Sequence, residues 1–106
     1  MKNNHTWVIC AYGESEFLEA CILSLQAQTL PSKIICYSST PLDSIKQLCQ
    51  KYGVPFYTKE GGGIGKDWNN ALSFVETSYA TIAHQDDYYE PTYLEAVMQK
   101  IEQSKD

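Results

Sequence analysis

The sequence predicts an α/β protein with a three-layer α/β/α architecture and a mostly parallel sheet. Two observations predict it. Short β-rich runs alternate four times with amphipathic helical patterns, the signature of parallel strands joined by right-handed crossovers. The 106 residues, 43% of them apolar, carry no repeat and no low-complexity linker. Residues 1–106 therefore read as a single domain, long enough to bury about 60–70% of the surface its unfolded chain exposes.

Each element has its own signal. Trp7-Val8-Ile9-Cys10-Ala11 is a continuously apolar run, as expected of a strand covered on both faces. Phe17, Leu18, Cys21, Ile22 and Leu25 then fall on one helix face, bounded by Pro31. Lys33–Tyr37 is the second strand. In the next helix Thr40 is the expected N-cap, Pro41 the first helical residue and Asp43 an acidic group near the exposed N–H ends. Leu42, Ile45, Leu48, Cys49 and Tyr52 form its buried stripe, and Gly53 is its natural C-terminal cap. Val54-Pro55-Phe56-Tyr57 is a short strand that its proline confines to an edge. A glycine-rich connection, Glu60–Gly65, opens a third helix with Ile64, Trp68, Ala71, Leu72 and Val75 on one side. Tyr79–Ala83 is the fourth strand. After Pro91 the last helix turns Tyr93, Leu94, Val97, Met98 and Ile101 inward.

Composition narrows the function. Eight lysines, no arginine and thirteen acidic residues give a net charge of −5, without the clustered cations that nucleic-acid binding needs. No apolar run is long enough to span a bilayer, and Met1–Thr6 has no signal-peptide pattern. Cys10, Cys21, Cys36 and Cys49 lack metal-site spacing and lie in apolar-periodic segments. They read as buried thiols of a reducing compartment, the cytoplasm.

In parallel α/β sheets, ligands bind beyond the carboxyl ends of the strands, where strand order reverses. The chemically rich residues occupy that rim: Tyr12-Gly13-Glu14, Ser38-Ser39-Thr40, the glycine run, and His84 to Asp87. Asp86-Asp87 is the sharpest feature, a pair of hard oxygen donors suited to Mg²⁺ or Mn²⁺ shared with substrate phosphates; turn and cap chemistry is the alternative for the same dipeptide. The glycine run matches neither a Walker A loop, since Asp67 follows Gly65-Lys66, nor G-x-G-x-x-G, since Lys66 holds the third glycine's place. Cys10 lies inside an apolar run, which makes it a core residue rather than a nucleophile paired with His84.

Taken in order, these segments resemble the family 2 glycosyltransferases of the GT-A fold. Val8–Glu14, Phe17–Cys21 and Ser24–Thr29 match the opening "I-I-P-x-Y-N-E … L … C-L-x-S-L-x-x-Q-T", with Cys10 for the proline and Gly13 for the asparagine. Gly61–Gly65 with Asn69 matches "N-G-G-I-G-x-A-R-N", with Trp68 in the arginine's place. Ala83–Asp87 followed by Pro91 matches the D-x-D region "L-D-x-D-D … P", with His84 for the first aspartate. The resemblance implies a nucleotide-diphosphate sugar as donor. Its donor-binding residues would be Tyr12, Glu14, Ser38, Gly63, Trp68, Asn69, His84, Asp86 and Asp87. Of these, Asp86 and Asp87 would hold Mn²⁺ or Mg²⁺ on the diphosphate, and Tyr12 and Glu14 would lie along the nucleoside. Cys36–Pro41 replaces the family's "D-D-G-S-T-D", whose acidic residue commonly contacts the base, so no particular nucleotide is implied.

The family's catalytic base and its acceptor half, for a carbohydrate or lipid-linked acceptor, come after the region matched here. The expectation is a truncated donor half, with transfer to an acceptor hydroxyl by inversion. A nucleotidyltransferase using Lys66 and a non-catalytic nucleotide-sugar-binding module are the alternatives. The fourth strand is expected at a sheet edge, open to homo-oligomer formation.

Overall fold

The computed structural model describes residues 4–11, 16–39, 42–58, 69–84 and 87–103. Four strands form one parallel sheet: β1 (His5–Cys10), β2 (Lys33–Tyr37), β3 (Phe56–Tyr57) and β4 (Tyr79–His84), in the order β3-β2-β1-β4. Three helices lie wholly within the described residues, α1 (Leu18–Gln26), α2 (Asp43–Lys51) and α3 (Tyr93–Gln103), and residues 69–72 add a helical segment. The α/β class and parallel pairing are as the alternating pattern predicts. The short β3 lies at one edge, as its proline requires, and β4 at the other edge of the described sheet.

Strand order decides which helix covers which face. From β1 to β3 the chain advances in one direction, so right-handed crossovers place α1 and α2 on the same face. The connection to β4 reverses direction and must cross the opposite face. The core divides accordingly. Trp7, Ile9 and Cys36 pack with Leu18, Ile22, Ile45, Cys49, Leu94 and Met98 from the three helices. Val8, Cys10, Ile35 and Tyr37 pack instead with Ala71, Phe74 and Val75 from the β3–β4 connection. Alternate residues of β1 thus serve opposite faces, and all six are buried.

The end of α2 follows the expected chemistry in full. Gly53 adopts φ +69°, its N–H donates to the Gln50 carbonyl, and the Val54 N–H reaches back to Cys49 at 2.8 Å. This is a Schellman closure, with Val54 and Cys49 packed in one core. The start of α2 differs from expectation. The first turn closes on Leu42, whose carbonyl accepts from Ile45 and Lys46, and no side chain caps it. Thr40 and Pro41, the expected cap pair, lie outside the described residues.

Three apolar assignments shift outward. Phe17 is 53% exposed, because the sheet face beneath α1 accommodates only Leu18, Cys21, Ile22 and Leu25. In the β3–β4 connection the helical segment ends at Leu72, which is itself exposed, while Ala71 is fully buried. Tyr93 keeps 40% of its surface exposed, although its ring packs 5.8 Å from that of Trp7. All four cysteines are buried, and none is in a disulfide. The Cys36 thiol is pushed far above the usual thiol range by its contact with Cys49 and by burial, so it sits in the core as a neutral group.

Candidate functional site

The register aligns the carboxyl ends of the strands. His84 pairs with Cys10, Cys10 with Tyr37, and Tyr37 with Tyr57, so one row of residues marks the rim across all four strands. Strand order reverses between β1 and β4, which is where a ligand binds in sheets of this kind. His84 ends β4 at this crevice.

The β4 side of the rim is tightly organised. The Asp87 carboxylate accepts the His84 N–H at 3.2 Å and the Tyr89 hydroxyl at 3.1 Å, both on Oδ2. The Asp87 N–H in turn donates to the His84 carbonyl at 2.9 Å. Tyr89 is held by three neighbours: its N–H donates to Ser24 Oγ, and its ring packs on Trp7 at 4.9 Å and Tyr93 at 5.0 Å. Burial, followed by the hydrogen bond to Asp87, raises the Tyr89 hydroxyl well above the ordinary phenol range. The phenol therefore stays a donor to the carboxylate.

A second network fixes the start of α3. Gln28, buried at the end of α1, accepts the Leu94 N–H on Oε1 at 2.9 Å and donates through Nε2 to the carbonyls of Glu90 and Ser24. It caps α3 from the segment that follows α1, satisfying one of the N–H groups that a helix start leaves unpaired. Thr29 adds its N–H to the Pro91 carbonyl at 2.7 Å and its hydroxyl to Glu95. Sequence reasoning recognised the Gln28-Thr29 pair only as a motif and missed this work. The one available signal was two polar residues directly after an apolar helix.

On the β2 side, Ser38 is buried and its N–H donates to the Tyr57 carbonyl. Tyr37 is also buried, and Asn70 donates to its hydroxyl. The ring of Phe74 stacks on Tyr57 at 4.3 Å. Asn69, the residue singled out from the sequence, is exposed, and its neighbour Asn70 makes the rim contact. His84 is exposed at the end of β4, and Cys10 is buried against the opposite face from α1. The structure thus brings Ser38, His84 and Asp87 to one rim. Tyr12, Glu14, Gly63, Trp68 and Asp86 lie outside the described residues.

Asp87 offers a carboxylate whose Oδ2 is held by an N–H and an O–H donor, while Oδ1 has no partner among the described residues. Also among the described residues, no three His, Cys, Asp or Glu side chains converge as an ion cage. No helix among the described residues is long and apolar enough to cross a membrane.

The chain belongs to glycosyl transferase family 2, whose family model matches residues 6–106. The chain is 22% identical over 102 residues to glycosyltransferase GlyA of Streptococcus pneumoniae serotype 4, covering 91% of this chain and 15% of that protein. It also superimposes on two S. aureus TarS crystal structures. One, of TarS 1–349, gives a TM-score of 0.84 at 21% identity, over 95% of this chain and 33% of that one. The other gives 0.83 at 21% identity, over 95% of this chain and 20% of that one. These two likenesses establish the GT-A type of fold. The chain thus spans a third or less of the length of each of these proteins.

Proposed function

We propose that this domain binds a nucleotide-diphosphate sugar at the rim between β1 and β4, as the donor half of a glycosyltransferase. The observation that carries the reading is Asp87, hydrogen-bonded to His84 at the carboxyl end of β4, at the point where strand order reverses. Asp86 would hold Mn²⁺ or Mg²⁺, with Asp87 beside it in the same turn. The bound ion would neutralise charge on the leaving diphosphate as the glycosidic bond breaks. The chain's own residues bind and orient: Tyr12 and Glu14 along the nucleoside, Ser38 at the base end, and Gly63, Trp68, Asn69 and His84 around the phosphates and sugar. Transfer to the hydroxyl of a carbohydrate or lipid-linked acceptor, by inversion, completes the proposed reaction.

The test is a thermal-shift panel of uridine, guanosine, thymidine and cytidine diphosphate sugars, each with and without Mn²⁺. One donor together with Mn²⁺ should stabilise the protein by about 2.7 kcal/mol at a hundred times its dissociation constant. Either component alone should do little, and Asp86→Ala should abolish the joint effect while the fold persists. No shift from any donor in the presence of Mn²⁺ overturns the reading.

A further inference from the structure

In a β-strand, the N–H and C=O of one residue point to the same side, and successive residues alternate. The Tyr79 N–H donates to the Asn4 carbonyl just before β1, so Tyr79, Thr81 and Ala83 face β1. Ala80, Ile82 and His84 therefore turn their peptide groups to the free edge of the sheet. At His84 that edge is closed from within the chain: its N–H meets the Asp87 carboxylate and its carbonyl meets the Asp87 N–H. The same carbonyl also lies 3.5 Å from the Cys21 Sγ on α1. The last rung of β4 is thus completed by Asp87, through its carboxylate and its own N–H, and not by a strand among the described residues.

We infer that Asp87 is a positioning residue, which together with Tyr89 ties the chain back onto the end of β4, next in sequence to Asp86. It works as a hydrogen-bond acceptor and not as a ligand charge. Of two adjacent carboxylates, Asp87 has both of its donors inside the protein, and one donor, Tyr89, is itself fixed by Ser24, Trp7 and Tyr93. What the turn serves rests on the donor-site reading, whereas the lock rests on the hydrogen bonds alone.

Four variants separate acceptor from ligand: Asp86→Asn, Asp87→Asn, Asp87→Ala and Tyr89→Phe. Each is titrated with Mn²⁺ in the presence of uridine diphosphate or guanosine diphosphate, following the free-ion signal by electron paramagnetic resonance, and melted by circular dichroism. An asparagine at 87 still places a carbonyl oxygen before the His84 N–H and the Tyr89 hydroxyl. Asp87→Asn should therefore keep Mn²⁺ affinity within about threefold of the parent and melt with it. Asp87→Ala should lose affinity by about tenfold or more, as removal of an outer-shell support does, and melt lower. Tyr89→Phe should fall between them, and Asp86→Asn should lose affinity without melting lower.

Loss of Mn²⁺ binding in Asp87→Asn as deep as in Asp86→Asn, at an unchanged melting temperature, overturns the inference. If the parent protein takes up no Mn²⁺ with either diphosphate, that result counts against the donor-site reading. The lock is then judged on melting: Asp87→Ala falling while Asp87→Asn holds supports it, and both melting with the parent overturns it.

Discussion

Replacing Gln28 with alanine tests whether the rim depends on a polar clamp some sixty residues away in sequence. The side chain is buried, and its Oε1 is the partner of the Leu94 N–H, which belongs to a fully buried residue at the start of α3. Losing an N-cap acceptor costs about 1 kcal/mol, and leaving the buried N–H unpaired brings the loss for that bond to about 2–3 kcal/mol. Of the two bonds from Nε2, the one to the carbonyl of exposed Glu90 adds little, because water can take its place, and the one to Ser24 returns to the last turn of α1. At about 4–8 °C per kcal/mol for a domain of this size, the melting temperature should fall by roughly 10–20 °C. Urea unfolding should show a lower midpoint at constant slope. A loss below about 0.5 kcal/mol for Gln28→Ala, at unchanged slope, would refute the cap.

Two further outcomes concern single sites. His5 is buried between Ser32 and Thr81, and burial lowers its pKa from 6.5 to about 4. Ser32 spends its own proton on the His5 carbonyl, so the ring is neutral, with Nδ1 donating to Ser32 and Nε2 accepting from Thr81. The folded state resists the proton that the unfolded chain takes up, so this contribution is complete above pH 6.5 and is lost as pH falls toward 4. It amounts to at most about 3 kcal/mol. Stability measured by urea unfolding from pH 7 to 4 should decline over that window, and a His5→Gln variant should lack that part of the decline. Gly53→Ala should cost about 1–2 kcal/mol by the same assay, because φ +69° disfavours any side chain. A Cβ there meets nothing within 4 Å, so the cost is conformational, and a fully neutral substitution would contradict it.

Local order in the sequence carried the elements. The apolar run of β1, the stripes of α1 and α2, and Gly53 before Val54 are signals that a few neighbouring residues produce alone, and the structure bears them out. The same periodicity misplaced Phe17, Leu72 and Tyr93, because a stripe shows which way a helix faces and not how wide its partner surface is. The rim was legible as a set of residues after strands. Its organisation was not: the Asp87–Tyr89 lock depends on Trp7 and Ser24, and the cap of α3 depends on Gln28, contacts that span 62 to 82 positions.

The sequence by itself therefore determined the α/β class, the strands and helices, and the acidic turn as the residue types to watch, because propensity, capping and alternation act over a few bonds. Only the tertiary structure decided the order β3-β2-β1-β4, the face that each helix covers, and which polar groups spend their hydrogen bonds inside the protein. Those outcomes require distant groups to leave water together, and no short stretch of chain records which partners they will find.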